Sequence, residues 1–215
     1  MFVRSTESAR RELVLCYHAV SPTWEHRLCL HPDLLLRQVR MFSRLRRVRA
    51  SFDDAFRSAA TVFPALAELG VPIEIFVCAR YARAGAPLTI PELAGDDRQQ
   101  LATMTWDELR AHADRGVRIG SHGIAHMRLP QLSDDELRHE LMDSKEEIES
   151  ELGRPCLGLA YPYGDHDARV RAGARAAGYE RAYGLRERGP DPYALPRLDL
   201  YRRHSPVRAL LRLYM

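Results

Sequence analysis

The stretch VPIEIFVCA, residues 71–79, decides how this chain is organised. It is apolar at nearly every position rather than at every second one, so both of its faces should be covered. A strand of that kind belongs to a parallel sheet, whose strands are joined by crossover helices. The flanking sequence follows that rhythm. Upstream, AFRSAATVFPALAELG (55–70) reads as a helix closed by Gly70 at the C′ position. VRASFDD (48–54) is the strand before it. A helix opened by His31-Pro32-Asp33 and running to about Leu45 precedes that. LVLCYHAV (13–20) is the first strand.

Downstream lies a long loop rich in Gly, Pro and Asp, RAGAPLTIPELAGDDRQQ (83–100). Such loops in compact domains are commonly lids or binding segments. Thr105-x-x-Glu108 is a capping box that starts a helix, and Gly116 ends it. VRIGSHG (117–123) is the fourth strand. Ser133-x-x-Glu136 opens a helix to about Leu152, stopped by Gly153. CLGLAYPYG (156–164) is the fifth strand, Asp167 to Ala177 a helix, YERAYGL (179–185) the sixth strand and ALPRLDLY (194–201) the seventh. Ser205-Pro206 caps a short amphipathic helix. The class is α/β, with seven strands, mostly parallel. An open doubly wound sheet and a closed barrel both suit this order. No G-x-G-x-x-G or G-x-x-x-x-G-K-[ST] segment supports the nucleotide-binding form of the open sheet.

With 215 residues, 46% hydrophobic and 28% charged, the chain can bury one full core, and a single domain over 1–215 is expected. No apolar run approaches the ~20 residues that span a bilayer. MFVRSTESARREL has no apolar signal core, so the expected location is cytoplasmic. Cys16, Cys29, Cys78 and Cys156 are far apart and read as buried free thiols. A net charge of +3 gives no case for nucleic acid, and the arginines from Arg37 to Arg49 read as a solvated helix face. Oligomeric state is not legible.

Polar residues collect at the C-terminal ends of strands: Tyr17-His18, Asp53-Asp54, Ser121-His122 and Tyr161-Pro162-Tyr163-Gly164. In a parallel barrel these ends share one face, and that face carries chemistry. A bare Asp-Asp pair is ordinarily a solvated turn. At a strand end, however, alternation should send the two carboxylates to different surroundings, one to a metal and one to a proton. His122-x-x-x-His126 has the spacing of paired imidazole ligands, and Gly123 favours a turn over a surface helix. One carboxylate and two histidines leave coordination positions open, as a catalytic metal site requires.

These residues resemble the polysaccharide deacetylase family, also called the NodB-homology domain or carbohydrate esterase family 4. Its T-F-D-D-G motif appears as Ser51-Phe52-Asp53-Asp54-Ala55, and its H-[ST]-x-x-H as His122-Gly123-Ile124-Ala125-His126. Its R-x-P-Y appears as Tyr161-Pro162-Tyr163-Gly164 after Ala160. The likeness runs from about Leu13 to Leu200 and is nearest the branch acting on poly-N-acetylglucosamine. It implies a distorted seven-stranded (β/α) barrel of the NodB-homology type. It also implies Asp53 as general base and Asp54, His122 and His126 as metal ligands, with the Tyr163 backbone N–H holding the oxyanion. The metal would be a divalent ion, zinc first, with cobalt, nickel or iron also fitting.

Three departures stand out. Ala55 replaces a glycine, a small change in backbone freedom. The third-motif arginine is absent; Arg197 on the seventh strand is its candidate substitute, the competing reading being an exposed arginine. The late L-x-H that commonly supplies the acid is absent, and His204 reads as a loop histidine. His18, in the CYHAV that closes strand one, is the better candidate acid, against a satisfied core histidine. The expected function is metal-dependent removal of N-acetyl groups from an amino-sugar carbohydrate, here a cytosolic one. The alternatives are hydrolysis of another C–N bond, as in a formamide or cyclic amide, and a degenerate glycan-binding barrel. The final helix, with Arg208, Arg212, Leu210, Leu211 and Leu213, reads as packed on the barrel wall, a membrane contact being the rival.

Overall fold

The computed structural model describes residues 12–185 and 191–211. β1 (Leu13–Tyr17) is followed by β2 (Ala19–Val20) and β3 (Cys29–Leu30), then α1 (Pro32–Ser43) and β4 (Val48–Phe52). Next come α2 (Phe63–Glu68), β5 (Ile73–Val77), α3 (Ala79–Ala82), α4 (Trp106–Asp114) and β6 (Arg118–Ser121). α5 (Asp134–Arg138), α6 (Ser144–Leu152), β7 (Gly158–Ala160), α7 (Ala168–Ala176), β8 (Arg181–Tyr183), β9 (Leu198–Asp199) and α8 (Pro206–Leu211) complete the described chain. Seven strands form one sheet in the order β8-β7-β6-β5-β4-β1-β9, and every pairing is parallel.

The sheet curls into a barrel-like form. Between its two edge strands runs an irregular segment. There Ala182 N donates to Pro192 O (2.8 Å), and Gly184 N to Leu195 O (3.0 Å). Strand alternation sorts the side chains into two populations. Leu15, Tyr17, Ile73, Ile75, Val77 and Ala182 join the large core under the helices, where α1 contributes Leu35, Val39 and Phe42. Val14, Phe76, Ala160 and Tyr183 form a separate small cluster on the concave side. Two glycines make room for that interior: a Cβ on Gly120 would lie 2.6 Å from the Phe76 ring, and one on Gly158 2.9 Å from Glu74 Oε1. At the same level as Gly158, Glu74 binds Arg181 Nη2 (2.7 Å) and approaches Arg49 Nε (3.8 Å).

The elements differ from their sequence outlines for local reasons. The run 13–20 breaks at His18, and β2 leaves the main sheet to pair with β3. The helix over 55–70 begins as a 3₁₀ segment, Arg57–Val62, and becomes α-helical only at Phe63, beside Pro64. Proline is tolerated in a first turn and not further in, so Pro64 fixes where the α-helix starts. The helix opened by Ser133 is broken by a π turn at His139–Asp143. The seventh strand shortens to two residues, Pro196 being unable to donate a ladder hydrogen bond. The long loop is packed rather than loose: Leu88, Ile90, Leu93 and Leu101 bury against Trp24, Phe56 and Tyr81. Trp24 Nε1 also donates to Asp96 Oδ1 (3.1 Å). α8 buries Ala209 and packs Leu210 on the core, while Arg212 and Leu213 lie outside the described residues. Among the described residues no helix is long and apolar enough to cross a membrane.

Candidate active site

β4 carries Ser51-Phe52 into the core, and Asp53 N still donates to Tyr17 O (2.9 Å). There the strand stops. Asp54 and Ala55 both take left-handed backbone, φ 64° and 51°. The two carboxylates are therefore separated by this turn and not by strand alternation, and both stay at one site. Asp53 faces the barrel interior, where Arg197 grips it with both prongs: Nη1 to Oδ1 at 2.5 Å and Nη2 to Oδ2 at 2.9 Å. The Cys16 thiol donates to the same Oδ2 (3.5 Å). Asp54 turns instead toward the histidines.

β6 delivers His122, whose backbone N–H donates to Val77 O (2.8 Å). Its Nδ1–H donates to Ala160 O (2.7 Å) at the end of β7, which leaves the Nε2 lone pair facing Asp54. The chain then loops back through Gly123 (φ 80°) to His126 (φ 60°), and the two imidazoles meet edge to face at 5.0 Å. That loop is fastened from several sides. Ala79 N and Arg80 N donate to Gly123 O and Ile124 O (both 3.1 Å). The buried Glu140 carboxylate accepts from Ile124 N (2.7 Å) and Ala125 N (3.2 Å). Ser121 Oγ accepts from Gly123 N (3.0 Å).

Electrostatics distinguish the two aspartates. Burial pushes the Asp53 carboxyl up, but the charge and hydrogen bonds of the Arg197 guanidinium outweigh it and hold the group well below the usual carboxylate range. Burial pushes Asp54 up to about 7, opposed by His18 and reinforced by Asp53. Burial also brings His122 down to about 3 and lowers His126, so both rings are neutral and able to ligate. Asp54 Oδ1 is fully buried without a hydrogen-bond partner. It lies 3.3 Å from His126 Nε2 and 3.7 Å from His122 Nε2.

Those spacings fit a divalent metal. Two bonds of about 2.1 Å opening at a tetrahedral angle hold their ligand atoms about 3.4 Å apart. A buried carboxylate oxygen with no proton donor, between two neutral imidazoles, is a donor set for one cation. Cys16, His18 and Asp53 also lie close enough to be considered as ligands. Asp53 is already engaged by Arg197, and burial keeps the Cys16 thiol protonated, so that group is the poorer metal site.

His18 is half-buried, lines the same cleft, has its Nδ1 unpartnered, and stacks its ring on Tyr201 at 6.4 Å. Tyr163 also has left-handed backbone, φ 62°, and sets its ring against His126 at 4.6 Å. His204 is buried in its own loop, where its Nδ1 accepts from Tyr201 N (3.0 Å). The cleft holds about 260 Å³. Sequence reasoning missed its outer wall, where Arg128 lies over the Tyr163 ring at 3.7 Å and binds Asp165 Oδ2 at 2.5 Å. Tyr163 Oη donates to Glu92 Oε2 (3.3 Å). The length of the loop over 83–100 marked the region of Glu92, but no local pattern marked Arg128, Asp165 or Glu140.

Comparison with known proteins gives the family and the fold. A sequence profile of the family described as polysaccharide deacetylase matches residues 44–182, more than half of the chain. YxkH of Bacillus subtilis (strain 168), named as a polysaccharide deacetylase, is 23% identical over 156 residues. That match covers 70% of this chain and 50% of YxkH, so the chain spans about half the length of this curated relative. The fold is shared with a de-N-acetylase from Aggregatibacter actinomycetemcomitans (TM-score 0.78, 15% identity, covering 95% and 99% of the two chains). It is also shared with the Streptococcus pyogenes deacetylase PplD, solved with acetate (TM-score 0.75, 21% identity, 93% and 96%). Because the matched span holds both aspartates, both histidines and the strands that bring them together, the chain belongs to the polysaccharide deacetylase family.

Proposed function

We propose that this protein is a metal-dependent hydrolase that removes N-acetyl groups from a carbohydrate containing amino sugars. The observation that carries the reading is the unpartnered, buried Asp54 Oδ1 between two imidazoles, beside an Asp53 that arginine keeps ionised. Asp54, His122 and His126 would hold the ion, zinc being the first choice for this donor set. When bound, the metal supplies a Lewis acid that polarises the acetamide carbonyl and acidifies the attacking water.

The chain's own groups account for the proton traffic. Asp53 accepts the proton of the water; its oxygens keep free lone pairs after accepting from Arg197. The same fork that ionises Asp53 also makes it a weak base, so the water must be acidified before it transfers its proton. The Tyr163 backbone N–H donates to the carbonyl oxygen as it gains charge. His18 delivers a proton to the nitrogen as the C–N bond breaks, and acetate and a free amine result.

The test is metal analysis joined to acetate release from chito-oligosaccharides. About one ion per chain is expected, lost in Asp54→Ala, together with acetate formation. A protein that binds metal but releases no acyl group from any amide would be a glycan binder, and the hydrolase reading would fall. His18→Ala should lower kcat by ~10²-fold or more with metal content unchanged. Surviving turnover would make His18 structural.

A further inference from the structure

The cleft has opposite charge at its two ends. On one wall Glu92 and Asp165 share a single guanidinium, that of Arg128. Beside Tyr201, on which His18 stacks, lies a second hollow of about 340 Å³ lined by Glu25, His26, Arg27, Tyr201, Arg202 and Arg203. Arg27 and Tyr201 line both spaces, so the two adjoin across these side chains. The one carboxylate in the hollow is already used: Glu25 Oε1 binds Arg202 Nη2 at 2.8 Å. Arg27 is exposed, and neither it nor Arg203 has a carboxylate within ion-pair distance among the described residues. The Arg203 guanidinium lies 5.4 Å from the centre of the Tyr201 ring.

A single exposed arginine needs no explanation, since water solvates it. Three guanidinium groups and an imidazole around one hollow, with one carboxylate among them, are different. The mutual repulsion of the guanidinium groups is relieved by an anion, and a concave site of net positive charge concentrates anions from solution. The planar fork of arginine matches the oxygens of phosphate and carboxylate. The acidic wall opposite would repel the same group, so charge alone would set the direction in which a substrate lies.

We infer that the substrate carries an anionic group, a phosphate ester or a carboxylate, on or beside the sugar whose acetamido group is cleaved, and that Arg27 and Arg203 bind it. This rests on the hydrolase reading for the acetamido group, while the anion site can be tested without turnover. Two measurements decide it. In the first, kcat/KM for N-acetylglucosamine 1-phosphate is compared with that for the neutral methyl N-acetylglucosaminide. The phosphate ester should be preferred at least tenfold at low salt, less so as ionic strength rises, and the ratio should fall toward one in Arg27→Ala/Arg203→Ala. In the second, calorimetry follows glucose 1-phosphate and glucuronate, neither of which has an acetamido group. At least one should bind the native protein, at least tenfold more weakly to the double variant, and the stronger ligand identifies the anion.

Acetate release with no preference between the substrates, and no binding of either anion, would overturn the anion site and leave the hydrolase reading standing. Arginine-dependent binding of an anion without acetate release from any substrate would support the anion site and remove the hydrolase reading.

Discussion

Removing the Arg197 fork separates two effects that act on one carboxylate. Arg197 fixes the direction of Asp53 with two hydrogen bonds and also lowers its proton affinity. In Arg197→Lys a point charge replaces the fork, so the charge survives better than the geometry. We expect kcat to fall by ~10²-fold. The sign of the pH effect follows from the shift: an aspartate released from its guanidinium regains protons at higher pH. In Arg197→Gln, which removes the charge as well, the acid limb of the kcat/KM profile should therefore move up, and an unmoved limb there would show that Arg197 does not act through Asp53. Ala55 tests backbone strain. Left-handed backbone costs an alanine about 1–2 kcal/mol, but glycine would forfeit about 0.5–1 kcal/mol of chain entropy and ~0.8 kcal/mol for the buried methyl. The terms nearly cancel, so Ala55→Gly should shift Tm by no more than about 2–3 °C in a thermal melt. Ala55→Val, β-branched and fully buried at positive φ, should lower it far more. The aspartate and histidine pairs were legible because each is a short local pattern at a strand end. Arg197 was one of two open readings, its partner lying 144 positions away.

The helix that follows the histidine loop shows what an element can hide. Its start was legible: the Ser133 and Glu136 capping box forms as the sequence spacing requires. The π turn at His139–Asp143 was not, since nothing in HELMD distinguishes it from ordinary amphipathic helix. Its cause is tertiary. Glu140 is drawn out of register to bind Ile124 N and Ala125 N, and π turns recur where a helix serves a site. Gly123 belongs to the same arrangement, because a Cβ there would lie 2.5 Å from Glu140 Oε2. Glu140 is thus a positioning residue for the loop between the two ligands. Glu140→Ala should weaken zinc or cobalt binding by about 10–100-fold, and Glu140→Gln, which keeps one acceptor oxygen, should restore part of it. Cobalt absorption reads the ligand geometry directly. An unchanged spectrum and affinity in Glu140→Ala would reduce Glu140 to a packing residue.

Over the whole molecule, the β-α rhythm identified the parallel sheet but left open whether it closes. What decides closure is who points inward, and the sequence shows only alternation, not which phase is inside. Gly120 and Gly158 read as ordinary strand residues, yet they admit Phe76 and Glu74 to the interior. The interior is then layered, with Arg49, Glu74 and Arg181 below, Phe76 and Tyr183 in the middle, and Arg197 and Asp53 above. In a barrel of parallel strands the upper end carries chemistry and the lower end stability. Glu74 tests that division. Its side chain is 1% exposed and that of Arg49 7%, and Glu74→Ala takes the carboxylate from Arg181 and leaves Arg49 with Glu12 alone at 2.8 Å. Losing one partner of such a group typically costs 3–5 kcal/mol, or roughly 6–20 °C in Tm for a chain of this size. Metal affinity should hold, because the aromatic layer stands between Glu74 and the ligands. A variant that melts as the native protein does, or that loses its metal while still folded, would show that the two ends are not separate in this way.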